Sequence, residues 1–425
     1  MLVIGDKKAL VDTAAGLGAE VWWAQRPEDA PAGAATGTDL TLLTDYTEDG
    51  FVDLVAGFHR VRPFAAVAAV SENALLPAAA LNDRLGLRGA SLDAVRVLTD
   101  KWAMRRRLAE HGGSTVVAAL GSTAADLRAF GADNGFPFIA KPVAAMGSYG
   151  VTLVDGPERT DEAAERFLRS GATAFLMEEY LDGPEISVES FSFTGRHVVL
   201  TLTDKLVGAG FVEAGHAVPA DQDEATTAEV VDLVGRFLDA VGLTDGPSHV
   251  EVKLTSRGPR VVEGHARRGG DRINDLVRLV HGIDMEELTM AWAMGRAAPL
   301  TERPAAKGGA AIRFVSAEQG RVVAVEGAEE VRGEPAVFDV HTAYAAGDRV
   351  GPTRWSLDRP GYVIATGDTP AEAAATAGAH AARIVFTVDS SPETADELRR
   401  ADASEDRALS RELDLARHVG YERAD

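Results

Sequence analysis

A chain of 425 residues, 46% apolar and 25% charged, has the make-up of a soluble globular protein with room for roughly three domains. Its net charge of −22 excludes nucleic acid and anionic membrane as expected partners, and the absence of cysteine excludes disulfides, thiolate metal sites and a thiol nucleophile. No stretch of about 18 uncharged apolar residues occurs, so no membrane span is expected. The first residues, MLVIGDKKAL, form an apolar run that meets Asp6 at once. This reads as a first strand rather than a secretory signal, and a cytoplasmic location is expected.

Residues 1–98 read as an α/β unit with strands at LVIG, Glu20 to Trp23 and Leu40 to Leu43, and a helix from Lys8 to Leu17. A fully apolar strand of the parallel-sheet kind is predicted over Phe64 to Val70. Gly5 stands nearly alone after the first strand, so a dinucleotide fingerprint is absent. A basic amphipathic helix is predicted from Thr99, ending at Gly112-Gly113. Strands follow at Phe138 to Lys141, Val151 to Val154, Ala174 to Glu179 and Ile186 to Phe193, with helices at about 223–241 and 271–281. Beyond the Pro-, Ala- and Gly-rich stretch Ala298 to Gly309, a C-terminal α/β part begins at Ala310. It has strands at RVVAVEG and YVIATG and ends in a charged helix.

Four stretches carry chemistry. In 137-PFIAKPVAAMGSYGV-151 a strand delivers Lys141, and a small-residue loop with Gly147, Ser148 and Gly150 lets backbone N–H groups approach a phosphate; a plain glycine hairpin is the other reading. In 176-LMEEYLDGPEISVES-190 an apolar strand runs into Glu178 and Glu179, a tight turn, and an alternating strand with Glu185 and Glu189, which single residue by single residue read as solvated edge charges. In 201-TLTDKLVGAGFVEAGHAVPAD-221, Lys205 ends a strand, and Phe211, Glu213 and His216 lie on a loop able to meet a substrate.

The fourth stretch is 249-HVEVKLTSRGPRVVEGHARRGGD-271, read as a hairpin with the three-residue loop Ser256-Arg257-Gly258. That register sets Glu251 opposite Glu263 and His249 opposite His265. Facing carboxylates about 5 Å apart repel unless solvated or bridged, and a hard divalent cation such as Mg²⁺ is the obvious bridge. Beyond them, Arg267 and Arg268 offer planar forks for a carboxylate or phosphate, and Gly269-Gly270 precede Asp271 as a predicted helix N-cap. Only seven of the 43 basic residues are lysine, so a lysine here points to a role for a compact charge.

No one of these motifs is specific, but their order is. A phosphate-loop lysine, EEYL-x-G-x-E, a TDK lysine and a two-glutamate hairpin ending E-x-H-x-R-x-G-G resemble the ATP-grasp superfamily, and most closely its carboxylate–amine ligases of the L-amino acid ligase type. The resemblance spans roughly residues 65–385. It implies an α/β fold, α+β in part, with an N-terminal unit at 1–98 and an ATP-grasp domain at 99–304. A mobile lid at about 115–182 and a C-terminal part at 305–425 complete it.

The resemblance also implies roles. Lys101, Lys141 and Lys205 would contact ATP phosphates, under a loop of Gly147, Ser148 and Gly150. Glu178, Glu179 and the backbone near Leu181 would hold adenine, and Glu185 the ribose. Glu251 and Glu263 would bind Mg²⁺, with Mn²⁺ an allowed substitute. His265 stands where the family offers a third ligand, asparagine, and imidazole is a poor Mg²⁺ ligand. Arg267, with Lys205, would serve catalysis. Phe211, Glu213, His216, Arg268, Gly269 and Gly270 would line the substrate site, with His216, His249 and Glu213 as candidate bases. The implied activity is ATP-dependent joining of a small carboxylic acid, commonly an amino acid, to an amine through an acyl phosphate; a homodimer is compatible with it. Other ATP-grasp acyl-phosphate chemistry, in a nucleotide-pathway ligase or carboxylase component, and a nucleotide-binding regulator without catalysis are the alternatives.

Overall fold

The structure, a computed structural model, describes all residues except 6, 31–37, 113–115, 144–146, 170–172, 209–210 and 392–425. The charged C-terminal helix predicted from sequence, and Gly113 of the predicted helix stop, lie outside the described residues. No described helix is long and apolar enough to cross a membrane.

The N-terminal unit is a four-stranded parallel sheet, ordered Leu40–Leu43, Trp22–Gln25, Leu2–Ile4, Val67–Ala68. Leu2, Val3 and Ile4 are all buried because helices cover both faces. The apolar run from Phe64 yields only a two-residue strand, with its other side chains packed as loop. Buried Trp23 satisfies its indole N–H on the Gly5 carbonyl at 2.7 Å. The helix predicted from Thr99 runs from Lys101 to Glu110, and a separate helix, Leu92–Thr99, precedes it. Asp100 breaks them by capping the second, its carboxylate accepting from the Trp102 and Ala103 N–H groups.

A second sheet of four antiparallel strands, ordered Ala118–Gly121, Phe175–Glu179, Phe138–Pro142, Thr152–Val154, carries Lys141. Phe130, Phe138, Phe167 and Phe175 bind its helices Ala124–Asn134 and Thr160–Arg169 to it. The largest sheet has eight antiparallel strands. Its order is Gly258–His265, Gly246–Thr255, Glu185–Phe193, Arg196–Val207, Glu213–Val218, Gly309–Val315, Gly361–Gly367, Val337–Thr342. No break in this sheet falls at residue 305: Glu213–Val218 pairs directly with Gly309–Val315. A three-stranded antiparallel sheet built on Gly320–Glu326 completes the C-terminal part.

Period-two alternation gives the large sheet two characters. Ile186, Val188, Val250 and Val252 pack against helix Glu224–Val241 through Val234, Phe237 and Leu238. The opposite face carries Glu185, Ser187, Glu189, His249, Glu251 and Lys253 in paired register. That polar face is the floor of the site.

Candidate functional site

Glu251 pairs with Glu263 and His249 with His265 on strands Gly246–Thr255 and Gly258–His265. The loop that produces this differs from the expected one. Thr255 pairs with Gly258 across Ser256 and Arg257, and a bulge at Val262 restores the register before Glu263. Gly258 supplies the left-handed backbone, φ 88°, that the turn needs. The bulge turns two consecutive carbonyls, Val261 and Val262, toward buried Arg105, whose Nη atoms donate to each at 2.8 Å.

The Nε of Arg105 donates to Glu178, whose second oxygen takes Lys141 Nζ at 2.6 Å. Burial alone would raise the Glu178 carboxyl, but Arg105 and Lys141 bring it down to about 2. Glu178 is therefore spent on Lys141, in its own sheet, and on Arg105, and its expected part in adenine binding does not follow: both carboxylate oxygens are engaged within the protein.

Around the two glutamates the hairpin builds a matched pair of relays. Glu263 Oε1 meets His265 Nε2 at 3.2 Å, and His265 Nδ1 reaches Glu72 at 3.5 Å. Glu251 Oε1 lies 3.5 Å from His249 Nε2, and His249 Nδ1 meets Glu189 at 2.8 Å. The two rings lie 6.0 Å apart, inclined by 31°. Each glutamate also faces one lysine: Lys101 at 3.0 Å from Glu263, and Lys205 at 2.7 Å from Glu251. Burial would raise both carboxyls, but Lys205 and His249 hold Glu251, and Lys101 and His265 hold Glu263, well below the usual range. Both stay ionised.

Two expectations fail here. Both nitrogens of His265 are engaged by carboxylates, so it braces Glu263 instead of offering a third metal ligand. His249 is no base: burial lowers its pKa, but Glu189 overrides this and raises it to about 9, so at neutral pH the ring already holds its proton.

Lys205 sits in a carboxylate cage, with Glu185 at 2.5 Å, Glu251 at 2.7 Å and Glu213 at 3.3 Å. Burial opposes its charge, and these three raise its pKa well above that of a free lysine. Lys253 lies 3.5 Å from the other oxygen of Glu185.

Asp271 does not cap the following helix. It and Arg272 adopt left-handed backbone, φ 51° and 63°, and the helix begins at Ile273 with no side-chain cap. The Asp271 carboxylate is drawn elsewhere, to His216 Nε2 at 3.0 Å and to both Nη atoms of Arg359. Burial is again overridden, here by hydrogen bonds from His216 and Arg359, and the Asp271 pKa falls below the usual range.

Arg359 belongs to a C-terminal arm, Arg354 to Arg359, which the sequence reading did not place in the site. Its guanidinium lies 3.5 Å over the Phe314 ring. Ser356 N donates to the Gly147 carbonyl at 3.2 Å, and Ser356 Oγ to Glu213 at 3.0 Å. Trp355 meets Tyr149 edge to face at 6.2 Å.

A single cavity of about 310 Å³ joins these parts. Its walls include Lys101, Lys141, Gly147, Ser148, Glu178, Glu179, Leu181, Glu185, Lys205, Phe211, Glu213 and His216, and on the hairpin side His249, Glu251, Glu263, His265, Arg267 and Gly270. Gly150 lies at the far end of the same loop, with φ 73°. Arg268 and Gly269 are not in the walls. Arg268 turns to Glu286 at 2.7 Å, and Gly269 packs on the back of Glu189 and His249. Arg267 lines the cavity while its Nε is held by Glu72. Glu179 bonds Arg257 at 2.5 Å and the Val117 N–H at 3.1 Å.

The donor set suits a nucleotide-borne cation. Among the described residues no group of three or more histidine or acidic side chains is arranged to hold a metal ion alone. Two ionised carboxylates facing one cavity fit Mg²⁺, which keeps several waters and binds through one or two carboxylates plus phosphate oxygens. Lys101, Lys141 and Lys205 bring the positive charge a polyphosphate requires.

Sequence reasoning missed Glu72, Arg105, Glu189, Ser356 and Arg359 as parts of the site. Glu189 carried a signal, since its even spacing from Glu185 places it on the same strand face. Glu72 and Arg359 carried none, because one arrives from the start of a helix in the N-terminal unit and the other from an arm far along the chain.

Three family descriptions match the chain: an ATP-grasp N-terminal domain over residues 11–89, an ATP-grasp domain over 134–275, and L-amino acid ligase C-terminal domain 2 over 313–389. The chain is 29% identical over 253 residues to the alanine–anticapsin ligase of Bacillus subtilis (strain 168), covering 53% of this chain and 54% of that protein. It thus spans about half the length of that curated relative. Over 321 residues it is 22% identical to the L-arginine-specific L-amino acid ligase of Bacillus subtilis, covering 74% and 76%. The crystal structure of L-amino acid ligase from Bacillus licheniformis superposes with a TM-score of 0.79 at 24% identity, covering 91% of this chain and 98% of that one. The chain belongs to the ATP-grasp superfamily and carries the C-terminal domain of its L-amino acid ligase branch.

Proposed function

We propose that this protein is an ATP-dependent, ADP-forming ligase that joins a small carboxylic acid to an amine, both of amino-acid type. The observation that carries the reading is the facing pair Glu251 and Glu263, held ionised by Lys205 and Lys101 in one cavity with the Lys141 strand and the Gly147 loop. Lys141 and Lys101 contact the phosphates, and Leu181 and Glu179 border the adenine. Glu251 and Glu263 would hold Mg²⁺, which would neutralise charge on the phosphate oxygens.

The acid's carboxylate attacks the γ-phosphorus, and the bond to the β-phosphate oxygen breaks, leaving ADP and an acyl phosphate. Lys205 and Arg267 offset the charge spread on the transferring oxygens. The neutral amine then attacks the acyl carbon, phosphate departs, and an amide remains. Glu213 and His216, beside the arm, are the side chains placed to take the amine proton. Ser356 on the Gly147 carbonyl and Trp355 on Tyr149 help exclude water from the acyl phosphate.

The reaction places the protein in the cytoplasm, where ATP and amino acids are available. A regulator without catalysis would be favoured by the departure at His265, but that residue braces a glutamate instead of replacing a ligand. The test is incubation with ATP, Mg²⁺ and pairs of amino acids. ADP and phosphate in equal amount with a dipeptide support the reading. AMP with pyrophosphate, or no turnover with any pair despite ATP binding, refutes it.

A further inference from the structure

Behind Glu251 lies a charged group that no step above uses. Glu189 has no exposed surface. It stands where the polar face of its strand gives way to the apolar core of Phe191 and Phe193. One of its oxygens accepts from Ser187 Oγ at 2.9 Å and from His249 Nδ1 at 2.8 Å, while the other, Oε2, has no hydrogen-bond partner among the described residues. A buried carboxylate with an unsatisfied oxygen is a poor stabilising device, since an apolar side chain of equal size avoids the desolvation. What it does fix is a ring. His249 is also Glu189's cross-strand partner, and its far nitrogen lies 3.5 Å from Glu251 Oε1.

The surroundings crowd the ring from behind. A Cβ at Gly269 would lie 3.0 Å from both Glu189 Oε2 and His249 Nδ1, so the backbone closes over the pair. The equivalent brace on Glu263 comes through His265 from Glu72, which belongs to the N-terminal unit. Glu189 instead sits on the strand hydrogen-bonded to that of Glu251.

We propose that Glu189 and His249 are a positioning pair that fixes the orientation of Glu251 and thereby sets its affinity for the divalent cation. This rests on the reading of Glu251 as a cation ligand. Partners behind a metal ligand change metal affinity by about 10–100-fold when removed.

The test is Glu189→Gln, which keeps shape and removes charge, with His249→Gln beside it. Mn²⁺ binding to the full-length protein in the presence of ADP is followed by electron paramagnetic resonance, alongside steady-state kinetics and thermal unfolding. The expected result is a Mn²⁺ dissociation constant and a half-saturating Mg²⁺ concentration both raised about tenfold in the folded variant, with the loss of turnover at low Mg²⁺ shrinking as Mg²⁺ is raised. Unchanged Mn²⁺ affinity in folded Glu189→Gln overturns the proposal. If Glu189→Gln does not fold, His249→Gln decides: weaker Mn²⁺ binding supports it and unchanged binding overturns it. Failure of wild type itself to bind Mn²⁺ with ADP would instead refute the reading of Glu251 as ligand.

Discussion

His265 stands between Glu263, 3.2 Å from its Nε2, and Glu72, 3.5 Å from its Nδ1, and so ties the hairpin to the N-terminal unit. An asparagine could brace one carboxylate but is too short to bridge both. His265→Asn is expected to lower kcat/KM about tenfold, which is about 1.4 kcal/mol of barrier. Glu72→Gln should cost at least as much, because it also releases Arg267. Steady-state kinetics with ATP varied decides. Full activity in His265→Asn would show that the bridge does nothing.

Lys205 is the sole cation found within 4 Å of both Glu185 and Glu213 in the described structure, and it neutralises Glu251 as well. Lys205→Met leaves three carboxylates facing one another. Removing one partner of a buried ionic cluster costs about 3–5 kcal/mol. Denaturant unfolding should show that loss, and added Mg²⁺ with ADP should recover part of it.

Glu178 predicts a pH dependence. Its folded pKa of about 2 lies below the ordinary 4.5 because Arg105 and Lys141 favour the ionised form, so on acidification the unfolded chain takes the proton first. The stabilisation is complete above about pH 4.5 and is lost as pH falls toward 2, an effect of about 3 kcal/mol by linkage. Urea midpoints measured from pH 6 to pH 3 should fall more steeply for wild type than for Glu178→Gln.

Two carboxylates make a weak metal site until phosphate oxygens join them. Calorimetry should detect little Mg²⁺ binding without nucleotide and clear binding with ADP, and chelation should stop ADP formation. Tight Mg²⁺ binding to the nucleotide-free protein would point to a ligand set not identified here.

The C-terminal arm should govern how well ATP cleavage is tied to amide formation. Ser356→Ala removes the hydrogen bond to Glu213. It is expected to raise phosphate release relative to dipeptide by about two- to fivefold, from roughly 0.5–1 kcal/mol of lost closure. Phosphate and dipeptide measured together decide, and an unchanged ratio would remove the arm from the reaction.

Much of the site was legible because it lies on strands. Alternation alone puts His249, Glu251 and Lys253 on one face, and register puts Glu263 and His265 opposite. That register came through a two-residue turn plus a bulge at Val262, which no local propensity announces. Partner identity was not legible. Glu178 reads as a nucleotide contact until Arg105 and Lys141 are seen on it. Asp271 reads as a helix cap until Arg359, 88 residues on, takes its carboxylate. Side chains from far along the chain decide whether a charge is free to act.

The pairing of Glu213–Val218 with Gly309–Val315 bears on engineering. A graft or truncation near residue 305 would cut through one hydrogen-bonded ladder and leave two raw edges, each a template for association between chains. The C-terminal part is therefore not an exchangeable module. Chimaeras meant to alter substrate choice should swap the Arg354 to Arg359 arm within an intact sheet.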